Sequence, residues 1–332
     1  TETVDELTTL SGTGAYTIVI SSEDAAVSAS DLNAINALTT EVIDLTNVTS
    51  ITSSSLADLE ILGTAIGNSE FSNATGATTV AVSDATIDAT TLAATIDSLD
   101  FINGLNTTLM TLASGATINI DASEISTILG HETGSIVGGS RLTISDQDIV
   151  VTGNISVDDA NLLSATTTGT VTASITTTES ITELKTLTET SNAYTIVISS
   201  ADATATAEDL SAIDGKTTAT IDATAVTSIS GTYDEVTALY ESAGVDNLGD
   251  EAISISDELT VTEANVIDGL TTGVVTASIA TTETVDSLQN LAGTNAYTIV
   301  ISSADATGRT AAEFNTINAC LLYTSPSPRD TR

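Results

Sequence analysis

Cysteine, tryptophan and proline are almost missing from this chain of 332 residues, and each scarcity excludes a class of structure. The single cysteine, Cys320, can supply neither an internal disulfide framework nor a multi-thiolate metal site. There is no tryptophan, aromatic residues make up 3% of the sequence, and both prolines lie close to Arg332. Any hydrophobic core must therefore be thin and built of aliphatic side chains.

Basic residues are equally scarce, since six Lys and Arg face 45 Asp and Glu, for a formal net charge of −39. Nucleic-acid binding needs a basic surface to displace counterions from phosphates, and an anionic membrane surface attracts the same kind of patch. No apolar run approaches the roughly 18 residues of a membrane-spanning helix. The sequence therefore predicts no nucleic-acid partner and no membrane insertion, and it leaves divalent cations as the natural counter-charge.

Histidine occurs once, as His131. A two-histidine zinc helix is therefore excluded, and a nucleophilic mechanism would have only this one residue as its histidine base. A nucleophile elbow, a phosphate-cradling loop and a dinucleotide fingerprint are all missing from the sequence. An enzyme acting on acidic polysaccharides would need Lys or Arg beside its acids, and the few basic residues are scattered. The sequence predicts no enzymatic activity, and a solenoid polysaccharide-active enzyme is the weaker alternative.

What the chain does contain is an internal repeat. The octapeptide Ala193–Ser200 (AYTIVISS) recurs without change at Ala15–Ser22 and Ala296–Ser303. A β-branched and aromatic run closed by serines predicts a short strand, with Ile196 and Ile198 pointing inward. The interval from Ala193 to Ala296 holds four related units, so one unit has about 26 residues, the length of one solenoid coil.

Each unit follows the same order of local signals: a strand, a polar turn, a short helix and a glycine or Thr-Thr-Gly turn. Thr206 stands three residues before Asp209, and Thr232 stands three before Glu235, which is the spacing of a helix-capping hydroxyl and carboxylate. Leu259–Thr262 is predicted to be a further extended piece. The pattern predicts an α/β solenoid of parallel strands and short helices, continuous over residues 1–319. An all-β solenoid with bent strands in place of helices is the alternative.

The last residues break this pattern. Cys320–Arg332 (CLLYTSPSPRDTR) resembles the translation of a transposon-type sequencing-library adapter and is expected to be a disordered tail outside the fold. Thr1–Gly14 is a variant of Thr282–Asn295, which indicates that the chain begins inside a repeat. We therefore expect a fragment of a longer reading frame, of the kind assembled from environmental DNA, that lacks capping units at both ends.

The best candidate for a ligand site is the loop Gly244–Glu251. It contains Asp246, Asn247, Asp250 and Glu251, whose oxygen atoms are of the type that calcium accepts. The loop matches neither the EF-hand nor the glycine-rich nonapeptide calcium repeat. The sequence predicts weak calcium binding here, with a solvated acidic face as the plainer interpretation.

Three phrases carry a family resemblance: Ala219–Gly231, Glu251–Gly273 and Ala296–Thr307. Their style resembles the long Thr/Ala/Asp-rich arrays of very large bacterial cell-surface and adhesin-type proteins, notably those of marine bacteria and cyanobacteria. The resemblance implies an extracellular stalk or scaffold whose partners are neighbouring repeats of the same polypeptide, and it transfers no functional residues. Surface glycans are a further possible partner. A glycan- or surface-binding solenoid and a phage tail-fibre-type protein are the alternatives.

Overall fold

The computed structural model describes residues 2–74, 79–100, 109–132 and 142–322, apart from the side chains of 97–100 and 131–132. Over these residues the protein is α/β, with short helices and with strands that pair in parallel. This confirms the predicted fold class at that level, and the helices rule against the all-β alternative. The chain forms two compact units, Thr1–Ser174 and Ile175–Arg332, which are described separately.

The first unit alternates strands with helices. Its described helices are α1 (Val4–Leu7), α2 (Ala29–Asn36), α3 (Leu56–Gly67), α4 (Ala89–Asp100), α5 (Ile125–Glu132) and α6 (Val157–Thr166). Its described strands are β1 (Ala26–Ser28), β2 (Ile43–Asp44), β3 (Ser50–Ser54), β4 (Phe71–Ser72), β5 (Thr79–Val82), β6 (Thr86–Asp88), β7 (Leu109–Thr111), β8 (Thr117–Asp121), β9 (Leu142–Thr143), β10 (Asp148–Ile155) and β11 (Val171–Ile175). They form sheets in the order β1-β3-β5-β7-β9, β6-β8-β10-β11 and β2-β4.

The core of the first unit is a ladder of aliphatic side chains, as the low aromatic content requires. One row runs across five neighbouring strands, and all of its members are buried: Val27, Ile51, Val80, Met110 and Leu142. Stacking equivalent apolar positions removes them from water without large side chains, because each rung is covered by the rungs on either side.

The second unit repeats this arrangement. Its described helices are α7 (Ile181–Leu184), α8 (Ala207–Asp214), α9 (Tyr233–Glu241), α10 (Val261–Asp268), α11 (Val285–Leu288), α12 (Ser303–Ala306) and α13 (Ala311–Ala319). Its described strands are β12 (Ala193–Thr195), β13 (Thr204–Thr206), β14 (Ile221–Asp222), β15 (Ser228–Gly231), β16 (Val245–Asp246), β17 (Ala252–Leu259), β18 (Val275–Ile279) and β19 (Ala296–Thr298). The sheets run β13-β15-β17-β18-β19 and β14-β16.

The distance along the chain between paired residues varies with helix length. In the second unit, Thr204 pairs with Ser228 and Ser228 with Ala252, steps of 24 residues around helices of eight and nine residues. In the first unit, Ser50 pairs with Thr79, a step of 29 residues around the 12-residue helix α3. Extra helical turns therefore lengthen a single strand–helix repeat without changing how its strand pairs with the next.

The predicted helix starts are confirmed, and one predicted strand end is wrong. Thr206 and Thr232 are the N-cap residues of α8 and α9, and their hydroxyls accept hydrogen bonds from the amides of Asp209 and Glu235. The predicted extended piece Leu259–Thr262 instead contains the start of α10, because Thr260 caps that helix together with Glu263.

Candidate functional site

The loop predicted to bind calcium begins in β16 and turns back toward the core. Asp246, Asn247 and Asp250 are exposed, whereas Glu251 is 0% exposed. Asn247 has a left-handed backbone, with φ of 65°, and Gly249 has φ of 133°, a conformation that favours glycine. The loop therefore reverses direction so that Glu251 enters the interior while the three other predicted ligands stay at the surface.

Glu251 is held by hydrogen bonds within its own unit. Its Oε2 atom accepts hydrogen bonds from the hydroxyl of Tyr240, at 2.7 Å, and from the amide of Gly249, at 2.8 Å. Burial, together with the hydrogen bond and the charge of Glu251, raises the pKa of Tyr240 well above its usual range, so the phenol stays protonated and donates. The other carboxylate oxygen, Oε1, is buried and has no hydrogen-bond partner among the described residues.

The backbone around Glu251 is equally restricted. Its carbonyl oxygen accepts a hydrogen bond from the Thr271 hydroxyl at 2.7 Å, and a Cβ atom on Gly273 would lie 2.2 Å from the same oxygen. The predicted Thr-Thr-Gly turn, Thr271–Gly273, thus holds this carbonyl by a hydrogen bond from Thr271 and by close packing of Gly273. Gln147 and Gly169 repeat the close approach in the first unit, where a Cβ on the glycine would lie 2.3 Å from the Gln147 oxygen.

Asn247 is engaged with an aspartate of the preceding strand. Its Nδ2 atom donates to Asp222 Oδ1 at 2.8 Å, and the same oxygen accepts from the Thr224 hydroxyl at 2.6 Å and the Thr224 amide at 3.0 Å. These bonds, led by the Thr224 hydroxyl, lower the pKa of Asp222. The first unit contains the same arrangement in Asp44, Thr46 and Asn73. The arrangement is therefore a repeated turn that ties one strand to the next.

The four predicted calcium ligands thus point to different surroundings. Among the described residues, no three His, Cys, Asp or Glu side chains come together in a way that could hold a metal ion. Calcium binding at Asp246, Asn247, Asp250 and Glu251 stays a prediction. The side chain of His131 lies outside the described residues.

Among the described residues, six acids each cap the helix of the preceding strand–helix repeat, a role that the sequence did not reveal. In each case a carboxylate oxygen accepts a hydrogen bond from the amide of the first helical residue. The pairs are Val4 with Asp24, Leu56 with Asp84, Ile181 with Asp202, Tyr233 with Asp257, Val261 with Glu283 and Val285 with Asp305. Partners are 20 to 28 residues apart along the chain. We call them the inter-unit caps, where a unit is one strand–helix repeat; each pair lies within one of the two compact units.

The inter-unit caps satisfy donors that a helix cannot satisfy itself. The first four amides of a helix lack an internal acceptor, and the helix dipole favours an anion at this end. A local N-cap residue serves the third helical residue in each of these helices, for example Ser180 in α7 and Thr260 in α10. The carboxylate from the next unit serves the first, so each helix start is closed by two successive units.

Two basic residues also join successive helices. Lys185 forms an ion pair with Asp209, and Arg309 pairs with Asp286, Asp305 and Glu313. The hydrogen bonds from Arg309 to these acids raise the pKa of its guanidinium, led by the bond to Asp286. Lys185 and Arg309 thus form ion pairs that hold neighbouring helices together.

A groove in the first unit has a size that suits a small ligand. It encloses about 440 Å³ and is lined by Asn36, Thr39, Thr40, Glu41, Val42, Asn68, Ser69 and Glu70. Its polar groups bond to one another, since Asn36 and Asn68 donate to the two carboxylate oxygens of Glu70 at 2.5 and 3.3 Å. None of its lining residues is aromatic, so it offers no stacking platform for a sugar ring.

The chain matches no protein-family model, no curated protein and no solved structure. Within the described part of the chain, no helix combines the length and the apolar character needed to cross a membrane.

Proposed function

We propose that this chain is the non-enzymatic repeat region of a large extracellular surface or adhesin-type protein, in which it acts as a stalk or scaffold. The observation that carries the proposal is the set of six inter-unit caps. Six side chains of the kind that catalysis or ligand binding would use instead join one strand–helix repeat to the next. A chain selected for such joints gains length and continuity rather than a reaction centre.

We further propose that each strand–helix unit is one coil of a solenoid of about 26 residues. The parallel pairing of successive strands supports this, with steps of 24 residues in the second unit and longer steps where a helix gains turns. The aliphatic ladder supports it too, because each unit buries its apolar positions only against its neighbours.

An extracellular bacterial location fits the composition. Only six Lys and Arg are present, so trypsin-like proteases would find few cleavage sites along an exposed stalk. The acidic surface would be balanced by divalent cations in a medium such as seawater. The resemblance of the repeat phrases to adhesin-type arrays supports the same proposal.

Insertion of whole coils tests the solenoid. A second copy of Thr204–Glu251 placed directly after Glu251 keeps the register, because Thr204, Ser228 and Ala252 are successive partners. Each added coil should lengthen the particle by one strand spacing, about 4.8 Å, in small-angle scattering. The same residues inserted in scrambled order serve as the control. A folded insertion variant with no added length would contradict the solenoid.

A binding screen tests the absence of a ligand-directed role. The full chain, applied to an array of bacterial, algal and host glycans, should show no saturable binding, and it should release no reducing ends from acidic polysaccharides. Saturable binding that is lost with Glu70→Ala would replace the scaffold proposal with the glycan-binding alternative at the groove of the first unit.

A further inference from the structure

The three identical octapeptides provide an internal comparison, because the chain places the same strand in three surroundings. At Ala15–Ser22, the amide of Asp44 donates to the Ile18 carbonyl at 2.9 Å, and the amide of Ile20 donates to the Asp44 carbonyl at 3.1 Å. At Ala193–Ser200, Asp222 makes the same two bonds to Ile196 and Ile198, both at 2.9 Å. Two copies in separate units are therefore covered by the next strand in the same way.

A threonine clasp accompanies this pairing in both copies. The Thr39 hydroxyl donates to the Tyr16 carbonyl at 2.8 Å and accepts from the Tyr16 amide at 3.1 Å. The Thr217 hydroxyl does the same for Tyr194, at 2.8 and 2.9 Å. One side chain thus satisfies both backbone groups of a residue that the neighbouring strand leaves unpaired at that point.

The covering segments share a sequence pattern. They are Thr39–Val48 (TTEVIDLTNV) and Thr217–Val226 (TTATIDATAV), which have Thr-Thr, Ile-Asp, Thr and Val in common. The threonine pair supplies the clasp and the Ile-Asp pair supplies the strand. The later threonine binds the aspartate, at 2.6 Å in both segments. The pattern is thus a complete docking segment that satisfies its own carboxylate.

The third copy, Ala296–Ser303, lacks this cover among the described residues. Ile299 and Ile301 are half-exposed and Val300 is 57% exposed, whereas Ile196 and Ile198 are each 1% exposed. The described residues offer no hydrogen bond to the Ile301 amide. Within the described part of the chain, the same strand sequence therefore keeps unbonded backbone groups and a half-exposed apolar face.

The chain changes at the position where the clasp should stand. Counting from the octapeptide, Cys320 occupies the place of Thr39 and Thr217, and its thiol donates to the Leu291 carbonyl instead, at 3.1 Å. The chain pairs with Asn295, directly before the octapeptide, through the Cys320 carbonyl and the Leu322 amide, and Leu321 rather than Cys320 lies opposite Asn295. Thr324 and Ser325, in place of the Ile-Asp pair, lie outside the described residues. At the positions of the Thr-Thr pair, the Ile-Asp pair and the later threonine, the C-terminal segment therefore has none of the residues that the two covered copies use for docking.

We propose that the strand edge from Tyr297 to Ile301 is an open acceptor for a parallel strand with the pattern Thr-Thr-x-x-Ile-Asp-x-Thr. Its occupant is a further coil of this same repeat, with the chemistry of Thr217–Val226. The strand binds by adding main-chain hydrogen bonds to the sheet edge, and its isoleucine covers the apolar face. The interaction extends the array by one coil, so it goes beyond the scaffold role and does not depend on the cellular location.

A graft in the full chain tests this acceptor. A copy of Thr217–Ile229 replaces Cys320–Arg332, which is the same length, and hydrogen exchange is measured at the Ile301 amide. We expect exchange at this amide to slow by about tenfold or more, because the equivalent Ile198 amide is bonded to Asp222. A control graft carries Thr217→Val and Ile221→Asp, which remove the clasp and the buried side chain, and it should leave the exchange rate unchanged.

A peptide added in trans keeps the test decisive if the grafted chain fails to fold. The free peptide TTATIDATAV should slow exchange at Ile301 in the unaltered chain in a saturable manner, and the doubly substituted peptide should not. Equal protection by both peptides, or protection by neither the graft nor the peptide, would overturn the proposal.

Discussion

Many carboxylates in this protein accept hydrogen bonds from backbone amides. Asp257 is an example, since it lies exposed on β17 and accepts the Tyr233 amide at 3.0 Å. A hydrogen bond from an amide at a helix start to an ionised group gains from the helix dipole as well as from the bond itself. The value of such an acid therefore depends on its position and not on the net charge that it contributes.

Asp257→Ala should lower the free energy of unfolding by about 1 kcal/mol, the usual cost of losing a helix cap. Glu258→Ala is the matched control, because it removes the same charge from the neighbouring residue and the described residues give Glu258 no side-chain hydrogen bond. Urea unfolding followed by circular dichroism measures both variants. Equal losses in the two variants would mean that net charge, and not the cap, sets the stability.

Glu251 is the residue where removal and replacement should differ most. Glu251→Ala leaves the Tyr240 hydroxyl and the Gly249 amide without their acceptor and opens a cavity, so we expect a loss of about 3 kcal/mol. Glu251→Gln keeps one oxygen for both donors and puts a neutral amide where Oε1 now lacks a partner, as Gln147 does at the corresponding turn. We expect its stability to lie within about 1 kcal/mol of the unaltered chain.

The same pair of variants bears on calcium. If the loop Gly244–Glu251 binds calcium through Glu251, millimolar calcium should raise the melting temperature of the unaltered chain and not that of Glu251→Gln. A rise of equal size in both would place the ion elsewhere, and no rise in either would leave the loop as a turn that only joins strands.

At the scale of the element, local sequence signals predicted where helices begin, but they did not predict which acids of the next repeat cap them. The capping pattern Thr206 with Asp209 lies within one helix start, so the sequence alone locates it. The pattern Thr260 with Glu263 is equally local, but the β-branched residues Val261 and Thr262 beside it also favour an extended piece, which is why the strand prediction there is wrong. Element type is readable because its causes lie three or four residues apart.

The inter-unit caps could not be read from the sequence in the same way. Their partners are separated by 20 residues for Val4 and Asp24 but by 28 for Leu56 and Asp84, because the intervening helix differs in length. With one acid in every few residues, no fixed spacing singles out the capping one. The sequence could not show that Asn247 donates to Asp222 either, since a calcium ligand and a strand-to-strand donor use the same side-chain amide.

The capping acids make the helices sensitive to low pH. The amide and hydroxyl of Ser180 lower the pKa of Glu183, and Thr3 and Thr310 do the same for Glu6 and Glu313. A carboxyl whose pKa is lower in the folded state stabilises the fold above its unfolded pKa of about 4.3 and loses that effect as pH falls through the folded value. We therefore expect the urea midpoint to be flat near neutrality and to fall below about pH 4.

Glu183→Gln provides the check on this interpretation. The amide side chain can still accept from Ser180 but does not titrate, so the variant should lose less stability between neutral and acidic pH than the unaltered chain. An identical fall in both chains would assign the acid sensitivity to other groups.

For the whole molecule, the dominant electrostatic fact is a formal net charge of −39 with few basic residues to offset it. Like charges repel more strongly in the compact state than in the unfolded one, and salt screens that repulsion. Raising sodium chloride from about 0.01 to 0.5 M should therefore raise the melting temperature, and magnesium should act at lower concentration. A chain that is indifferent to salt would show that the caps and ion pairs already neutralise the surface locally.

The aliphatic ladder could be foreseen from composition, whereas the division into two compact units could not. A low aromatic content and regular Ile and Val predict rows such as Val27, Ile51 and Val80 without any knowledge of register. The boundary near Ser174 has no linker composition to mark it, because the repeat continues through Val171–Ile175 in the same style.

The inter-unit caps also impose an order on biosynthesis. The amide of Val4 bonds to Asp24, and the amide of Val261 bonds to Glu283, so the six helix starts closed in this way depend on residues that leave the ribosome later. As the chain emerges from its N-terminal end, the newest helix is complete in sequence but still lacks its second closure. Closure of these six helix starts must therefore trail translation by one repeat, which leaves the most recently made helix loosely held.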